Sequence, residues 1–290
     1  MDAERAQRRW TVAVATVVTQ VCLGAVYGWS VFVNPIVQRE GWPLSQVTLI
    51  FTLALAFLGL GTIVGGLWQD RVGPRPVITT AGLLYGAGYV IAGVATARHS
   101  LVGLYVGYGV IAGIAMGMGY ICPVAVLSKW FPDKRGLMTG IAVCGYGAGA
   151  LVMSPVAAYG IQIAGLPATF VTLGTIYFAI ITVAARFYVN PSPRSASEDT
   201  PGVESHPSPV AATARIERAH EYGVAEAVMT PRFWLLWTLL FVNVSAGIMV
   251  LSQVSPMAQE IAGLSPPRPW SGSSRWPMRP AASYGHGSPM

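Results

Sequence analysis

Apolar residues gather along this chain into seven long blocks, at roughly 10–37, 44–68, 76–97, 101–128, 137–161, 167–189 and 233–255. A helix needs about 20 consecutive, mainly apolar residues to cross a bilayer, and every block meets that length. Short polar turns separate the first six. From Asn190 to about Arg232 the chain becomes polar and rich in Pro, Ser, Glu and Arg. Such a composition cannot bury enough apolar surface to form a packed domain, and it predicts a linker with a short helix near Thr213–Val228. The expected organisation is an N-terminal segment over 1–9, a six-helix transmembrane bundle over 10–189, a central linker over 190–232, a seventh helix over 233–255 and an atypical, disordered tail over 256–290. The fold class predicted is all-α, a polytopic membrane protein.

Composition sharpens this picture. Of the 290 residues, 53% are hydrophobic and 10% charged, whereas a soluble domain carries about 25% charged residues to cover its surface. The first block is too long for the apolar region of a cleaved signal peptide, so it is expected to be retained as a spanning helix. Cys22, Cys122 and Cys144 lie far apart inside apolar blocks and read as small packing residues, without the spacing of a metal site.

The net charge of +6 could serve nucleic-acid binding, but its distribution speaks for membrane topology. With a cytoplasmic N-terminus, the inner segments hold Arg5, Arg8, Arg9, Arg71, Arg75, Lys129, Lys134, Arg135, Arg186, Arg194, Arg215, Arg218 and Arg232, thirteen in all, and the outer loops hold two, Arg39 and Arg98. Excess Lys and Arg in cytoplasmic loops sets orientation. A multi-pass protein of the cell membrane, N-terminus inside, is therefore expected, with the lipid bilayer as its partner and no nucleic acid. Arg268, Arg275 and Arg279 fall in the tail, on the side where a seventh helix would leave an outer segment. Residues 265–290 contain six Pro, six Ser, three Gly and two Trp without an apolar run. The expectation is a chain cut off after its seventh helix, its end frameshifted or misassembled; a natural disordered terminus is the alternative.

The loop after the second block reads Gly66-Leu67-Trp68-Gln69-Asp70-Arg71-Val72-Gly73-Pro74-Arg75. Gly66 is expected to let neighbouring helices approach, and Gly73 to permit a tight turn. The stretch resembles the signature loop of the major facilitator superfamily, G-x-x-x-D-R-x-G-R-R/K, with Pro74 replacing the first trailing base. The resemblance implies that Gly66, Asp70, Arg71, Gly73 and Arg75 form a conformational switch, the Asp engaging the other half of the bundle; a merely topogenic turn is the alternative. A second inner loop, Lys129 to Gly136, repeats the pattern of an acid flanked by bases near a Gly, as inverted repeats allow, and adds Asp133, Lys134 and Arg135 to the switch. The strings WFPDKRGLMTGIAV, YGWSVFVNPI, GIAMGMGYICPVAV and TPRFWLLWTLLFVNVSAGIMVLSQVSPMAQE resemble the oxalate/formate antiporter family and its monocarboxylate-carrying relatives over about residues 10–264. A small organic anion substrate is what this implies. The Arg in helix four and the helix-five Gly-Pro motif of the proton-coupled drug exporters are absent, which lowers the standing of a drug antiporter.

Candidate substrate contacts are neutral. Gln20, Tyr27 and Asn34, spaced by seven, predict one polar stripe on the first helix, costly in a membrane unless it faces protein or a water-filled cavity. Tyr120 and Tyr146 join them, with packing or interfacial anchoring as the alternative for each. Pro35, Pro123 and Pro155 mark places where helices kink or break. Glycine strings such as GAGYVIAG and GYGAGA lie inside predicted spans with no preceding strand, so they are read as close helix packing and not as phosphate loops. No Lys, Arg, His, Asp or Glu lies in the middle of any block, although a buried carboxylate needs a cation or strong donors beside it. The resemblance places that basic charge in a C-terminal half. No catalytic constellation, metal site or cofactor motif is found, so an enzyme is not expected; oligomeric state is not legible. Alternating-access transport of a small organic anion, incomplete in a truncated chain, is the reading, against a fragment that inserts without transporting.

Overall fold

The computed structural model describes residues 2–190, 226 and 228–261, with side chains described over 7–190, 226 and 228–247. The short helix expected near Thr213–Val228 and the tail beyond Ile261 lie outside the described residues, apart from residues 226 and 228. The chain divides into two units, Met1–Glu221 and Tyr222–Met290.

Among its described residues the first unit is built of helices joined by short turns. Its elements are α1 (Asp2–Leu23), a 3-10 stretch (Gly24–Gly28), α2 (Ser30–Glu40), α3 (Leu44–Val72), α4 (Pro74–Ala97), α5 (Leu101–Leu104), a π-helical stretch (Tyr105–Ala112), α6 (Gly113–Trp130), a 3-10 turn (Pro132–Lys134) and α7 (Arg135–Ala185). Among the described residues, Gln7–Gly28, Leu44–Val72, Pro74–Ala97, Leu101–Trp130 and Pro132–Ala185 are long and apolar enough to cross a membrane. The last is two helices in one. Gly165 sits at φ 78°, ψ 171° inside α7, a conformation that glycine reaches without a Cβ clash. It splits the element into limbs over 135–164 and 166–185, matching the fifth and sixth blocks. At this corner Thr169 donates its hydroxyl to the Gly165 carbonyl at 2.7 Å.

The helices pack as α3 on α6 and as α1 and α4 on α7, and glycine makes these approaches possible. A Cβ on Gly117 would lie 2.0 Å from the Leu58 carbonyl oxygen, and one on Gly61 2.2 Å from that of Ile114, so α3 and α6 touch backbone to backbone. Gly86 and Gly174 do the same for α4 and α7. The glycine strings are packing surfaces, as expected.

Two blocks are less regular than their apolar content predicts. The first is interrupted where Gly24 presses against α7: a Cβ there would lie 1.8 Å from the Tyr146 carbonyl oxygen. The fourth opens into a π-helix where Gly107 meets the Gly88 carbonyl of α4 and Gly109 meets Leu53 of α3. This eight-residue stretch is longer than the single-turn π-bulge that is the commoner form.

In the second unit one helix, α8 (Pro231–Ile261), covers the seventh block and continues past residue 255. Trp234, Trp237 and Phe241 form a ladder of rings along it, at 5.8 and 5.2 Å, the i, i+3 and i+4 spacing that puts side chains on one face.

Candidate functional site

Four of the five predicted cavity residues meet. Gln20, fully buried on α1, donates its amide to the Tyr120 carbonyl of α6 at 3.5 Å. Tyr27 arrives from the 3-10 stretch and Tyr146 from the first limb of α7. The Tyr146 ring stands edge-on to Tyr27 at 5.5 Å and to Tyr120 at 5.0 Å. Tyr146 is 4% exposed, yet its hydroxyl finds no hydrogen-bond partner, and neither does the Gln20 Oε1. A buried polar atom left unpaired costs about 1–3 kcal/mol, and the junction holds two of them.

Asn34 is not part of the cluster. It is exposed on α2, which departs from the expected stripe for a geometric reason. The spacing of seven presumes a continuous α-helix, but five residues wound at 3.0 per turn rotate the chain about 100° further than an α-helix does. Residues beyond Gly28 therefore face elsewhere.

Beside the cluster is a set of aromatic residues that the sequence reading passed over. Tyr85 and Tyr89 of α4, Tyr108 of the π-helix and Tyr177 of α7 are buried. Tyr85 donates to the Cys22 carbonyl at 3.4 Å, just before the 3-10 stretch, and lies 3.3 Å from the Tyr89 hydroxyl. Trp29 and Tyr108 approach to 4.3 Å between ring centres. The available signal was Tyr at i and i+4 within YGAGY, obscured by reading that string for its glycines alone. The centre of the unit thus offers phenols and an amide, and its described charged side chains sit at the helix ends.

One end is basic. Gly73 turns the chain from α3 to α4 at φ 86°, ψ 173°, its N–H donating to the Gln69 carbonyl at 2.8 Å, and Pro74 opens α4. The predicted tight turn is there. Asp70, Arg71 and Arg75 around it are exposed. The expectation for Gly66 is corrected: nothing lies within 4 Å of a Cβ placed on it, whereas one on Gly65 would fall 2.6 Å from the Met118 Cα. Gly61 and Gly65, one turn apart, face α6, and Gly66 lies 100° further round. Both amide atoms of Gln69, which is 4% exposed, are buried without a partner beside this turn.

The loop from Lys129 to Gly136 is tied down by a residue from the other end of the unit's sequence. Arg9 of α1 pairs with Asp133 at 2.9 Å, its guanidinium 4.5 Å above the Phe131 ring. Trp130 donates to the Val189 carbonyl at 2.6 Å. Lys134 and Arg135 are exposed. At the opposite end, the Glu40 carboxylate, its side chain 2% exposed, lies 2.5 Å from His99 Nδ1 and 3.1 Å from Arg39 Nε.

The Major Facilitator Superfamily profile matches residues 16–280. The chain is 30% identical over 258 residues to an uncharacterized MFS-type transporter, YhjX, of Escherichia coli K12, covering 88% of this chain and 59% of that protein. It is 27% identical over 254 residues to the oxalate:formate antiporter of Oxalobacter formigenes, covering 87% and 56% respectively. It is 24% identical to the apicoplast pyruvate carrier 1 of Toxoplasma gondii, with 83% of this chain and 59% of the carrier aligned. The chain thus spans somewhat over half the length of these curated relatives.

Proposed function

From the premise that this chain belongs to the major facilitator superfamily, we propose that it transports a small organic anion of the oxalate, formate or monocarboxylate class by alternating access, within the protein to which these residues belong. The observation that carries the reading is the junction of buried Gln20 and Tyr146 with half-buried Tyr27 and Tyr120, where two buried polar atoms have no partner. Phenol and amide N–H or O–H groups can donate to a carboxylate, and hydrogen bonds to a charged acceptor are about twice as strong as neutral ones. The similarity to carriers of oxalate, formate and pyruvate agrees in substrate class.

Neutral donors alone do not compensate the burial of an anion's full charge. The proposal therefore includes a cation from outside the described residues, with Gln20 and the tyrosines orienting the anion. The turn at Gly73, with Gly66, Asp70, Arg71 and Arg75, and the loop of Asp133, Lys134 and Arg135 are proposed as the conformational switch. The basic end is proposed to be cytoplasmic, in the cell membrane.

Uptake of radiolabelled oxalate, formate and pyruvate into proteoliposomes tests the reading, with empty vesicles as control. Saturable uptake of one of them, competed by the unlabelled acid, is expected. A chain that inserts but takes up none of the three, while a version extended to the relatives' length does so, would support the second reading of an inserted, inactive fragment.

A further inference from the structure

A groove of about 730 Å³ runs between α1 and the second limb of α7. Its walls include Trp10, Val14, Val18, Ile180, Val183 and Phe187, and its few polar groups, Gln7 and Thr11, lie at the basic end. Thr11 spends its hydroxyl on the Gln7 carbonyl, so deeper in the groove only apolar surface is offered. Trp10 is 60% exposed at the rim, where an indole suits the boundary between headgroups and acyl chains.

Two arginines flank the same end. Arg8 follows the lining residue Gln7, and Arg186 precedes the lining residue Phe187. Both are exposed, and neither forms an ion pair with another described side chain. The carboxylates at this end are Asp2 and Glu4 of α1, Asp70 of the α3–α4 turn and Asp133, which is held by Arg9. Against these four stand nine bases, Arg5, Arg8, Arg9, Arg71, Arg75, Lys129, Lys134, Arg135 and Arg186, so this end of the unit is net positive. An apolar trough flanked by two exposed arginines is complementary to one class of molecule, with a long apolar chain joined to an anionic head.

We infer that the groove between α1 and the second limb of α7 is a binding site for an anionic glycerophospholipid, one acyl chain lying along Val14, Val18 and Val183 and the phosphate meeting Arg8 and Arg186. The site is separate from the tyrosine junction, which faces the interior. It couples the basic end of α1 to the end of α7 and so favours bilayers with an anionic leaflet on that side.

Native mass spectrometry of the 290-residue chain, released from detergent in the presence of phosphatidylglycerol or phosphatidylcholine with matched oleoyl chains, tests this. Two cations near a charged headgroup give an expected preference of about thirtyfold for phosphatidylglycerol. The R8Q/R186Q double variant should bind the two lipids equally. A179W, which fills the trough and leaves both arginines in place, should lose both lipids while keeping its helicity and elution volume. If A179W does not fold, V183Q, which puts an amide among the acyl-chain contacts, should show the same loss. Free glycerol phosphate should not compete. Equal binding of both lipids by the parent chain, an undiminished preference in R8Q/R186Q, or displacement of the lipid by glycerol phosphate would each overturn the proposal.

Discussion

Tyr146 illustrates what a single residue contributes here. Its ring holds Tyr27 and Tyr120 together, while its hydroxyl is buried and unpartnered. Removing that oxygen should therefore cost the fold nothing: Tyr146→Phe is expected to keep or slightly raise the melting temperature in detergent, since an unpaired buried group is itself unfavourable. If the hydroxyl meets the anion, uptake should fall about tenfold, the worth of one hydrogen bond of about 1.4 kcal/mol. Thermal scans and initial uptake rates on the same preparation separate the two effects, and unchanged uptake would remove Tyr146 from the site. Gly24 behaves oppositely. Gly24→Ala puts a methyl group within bonding distance of the Tyr146 carbonyl, so α1 must move away from α7, at a cost of about 1–3 kcal/mol read as a lower melting temperature. The residues themselves were visible in the sequence. Their partners were not, because a ring contact across 119 positions, from Tyr27 to Tyr146, leaves no mark in local periodicity.

The elements were legible to the extent that hydrophobic length defines them. All six blocks of the first unit are helical, and the two turns predicted at Gly73 and between the fifth and sixth blocks are present. The interruptions at Gly24–Gly28 and Tyr105–Ala112 were not legible, since a glycine in an apolar run looks the same whether its helix stays regular or is pressed out of register by a neighbour. Gly165 provides a clean test of one such device. Nothing lies within 4 Å of its Cβ position, so Gly165→Ala should cost only the backbone penalty of φ 78°, ψ 171°, about 1–3 kcal/mol for a region that is essentially glycine's alone. Gly165→Asn should cost about as much, because the tolerance of Asn is for the left-handed helical region at much lower ψ. Chemical or thermal unfolding in detergent would show these losses, and an Asn variant as stable as the parent would contradict them. The Arg9–Asp133 pair belongs at this scale too, since it fastens α1 to the loop before α7. With side chains 25% and 55% exposed, it is screened by water and salt and is expected to contribute about 0.5–1 kcal/mol. A double-mutant cycle with R9Q and D133N should return a coupling of that size, diminishing with added salt.

For the whole molecule, topology follows from charge. The basic end of the first unit carries Arg5, Arg8, Arg9, Arg71, Arg75, Lys129, Lys134, Arg135 and Arg186, and the opposite end carries Arg39 and Arg98. In a background lacking Cys22, Cys122 and Cys144, Ser100→Cys should react with a membrane-impermeant maleimide added to intact cells. Lys134→Cys should react only after the membrane is opened. The reverse pattern would overturn the proposed orientation.

The all-α membrane class, the long helices and the charged turns could be read from the order of residues, and the Gly66–Arg75 loop carried the likeness to the major facilitator type. Bilayer thickness and the aversion of charge to hydrocarbon write those features directly into the order of residues. Helix packing set which polar side chains come together. It gathered Gln20, Tyr27, Tyr120 and Tyr146, turned Asn34 away, and exchanged Gly66 for Gly65 in the contact with α6. The direction in which a side chain points depends on the accumulated winding of its helix, and a neighbour pressing on a glycine can change that winding by the width of a helix face.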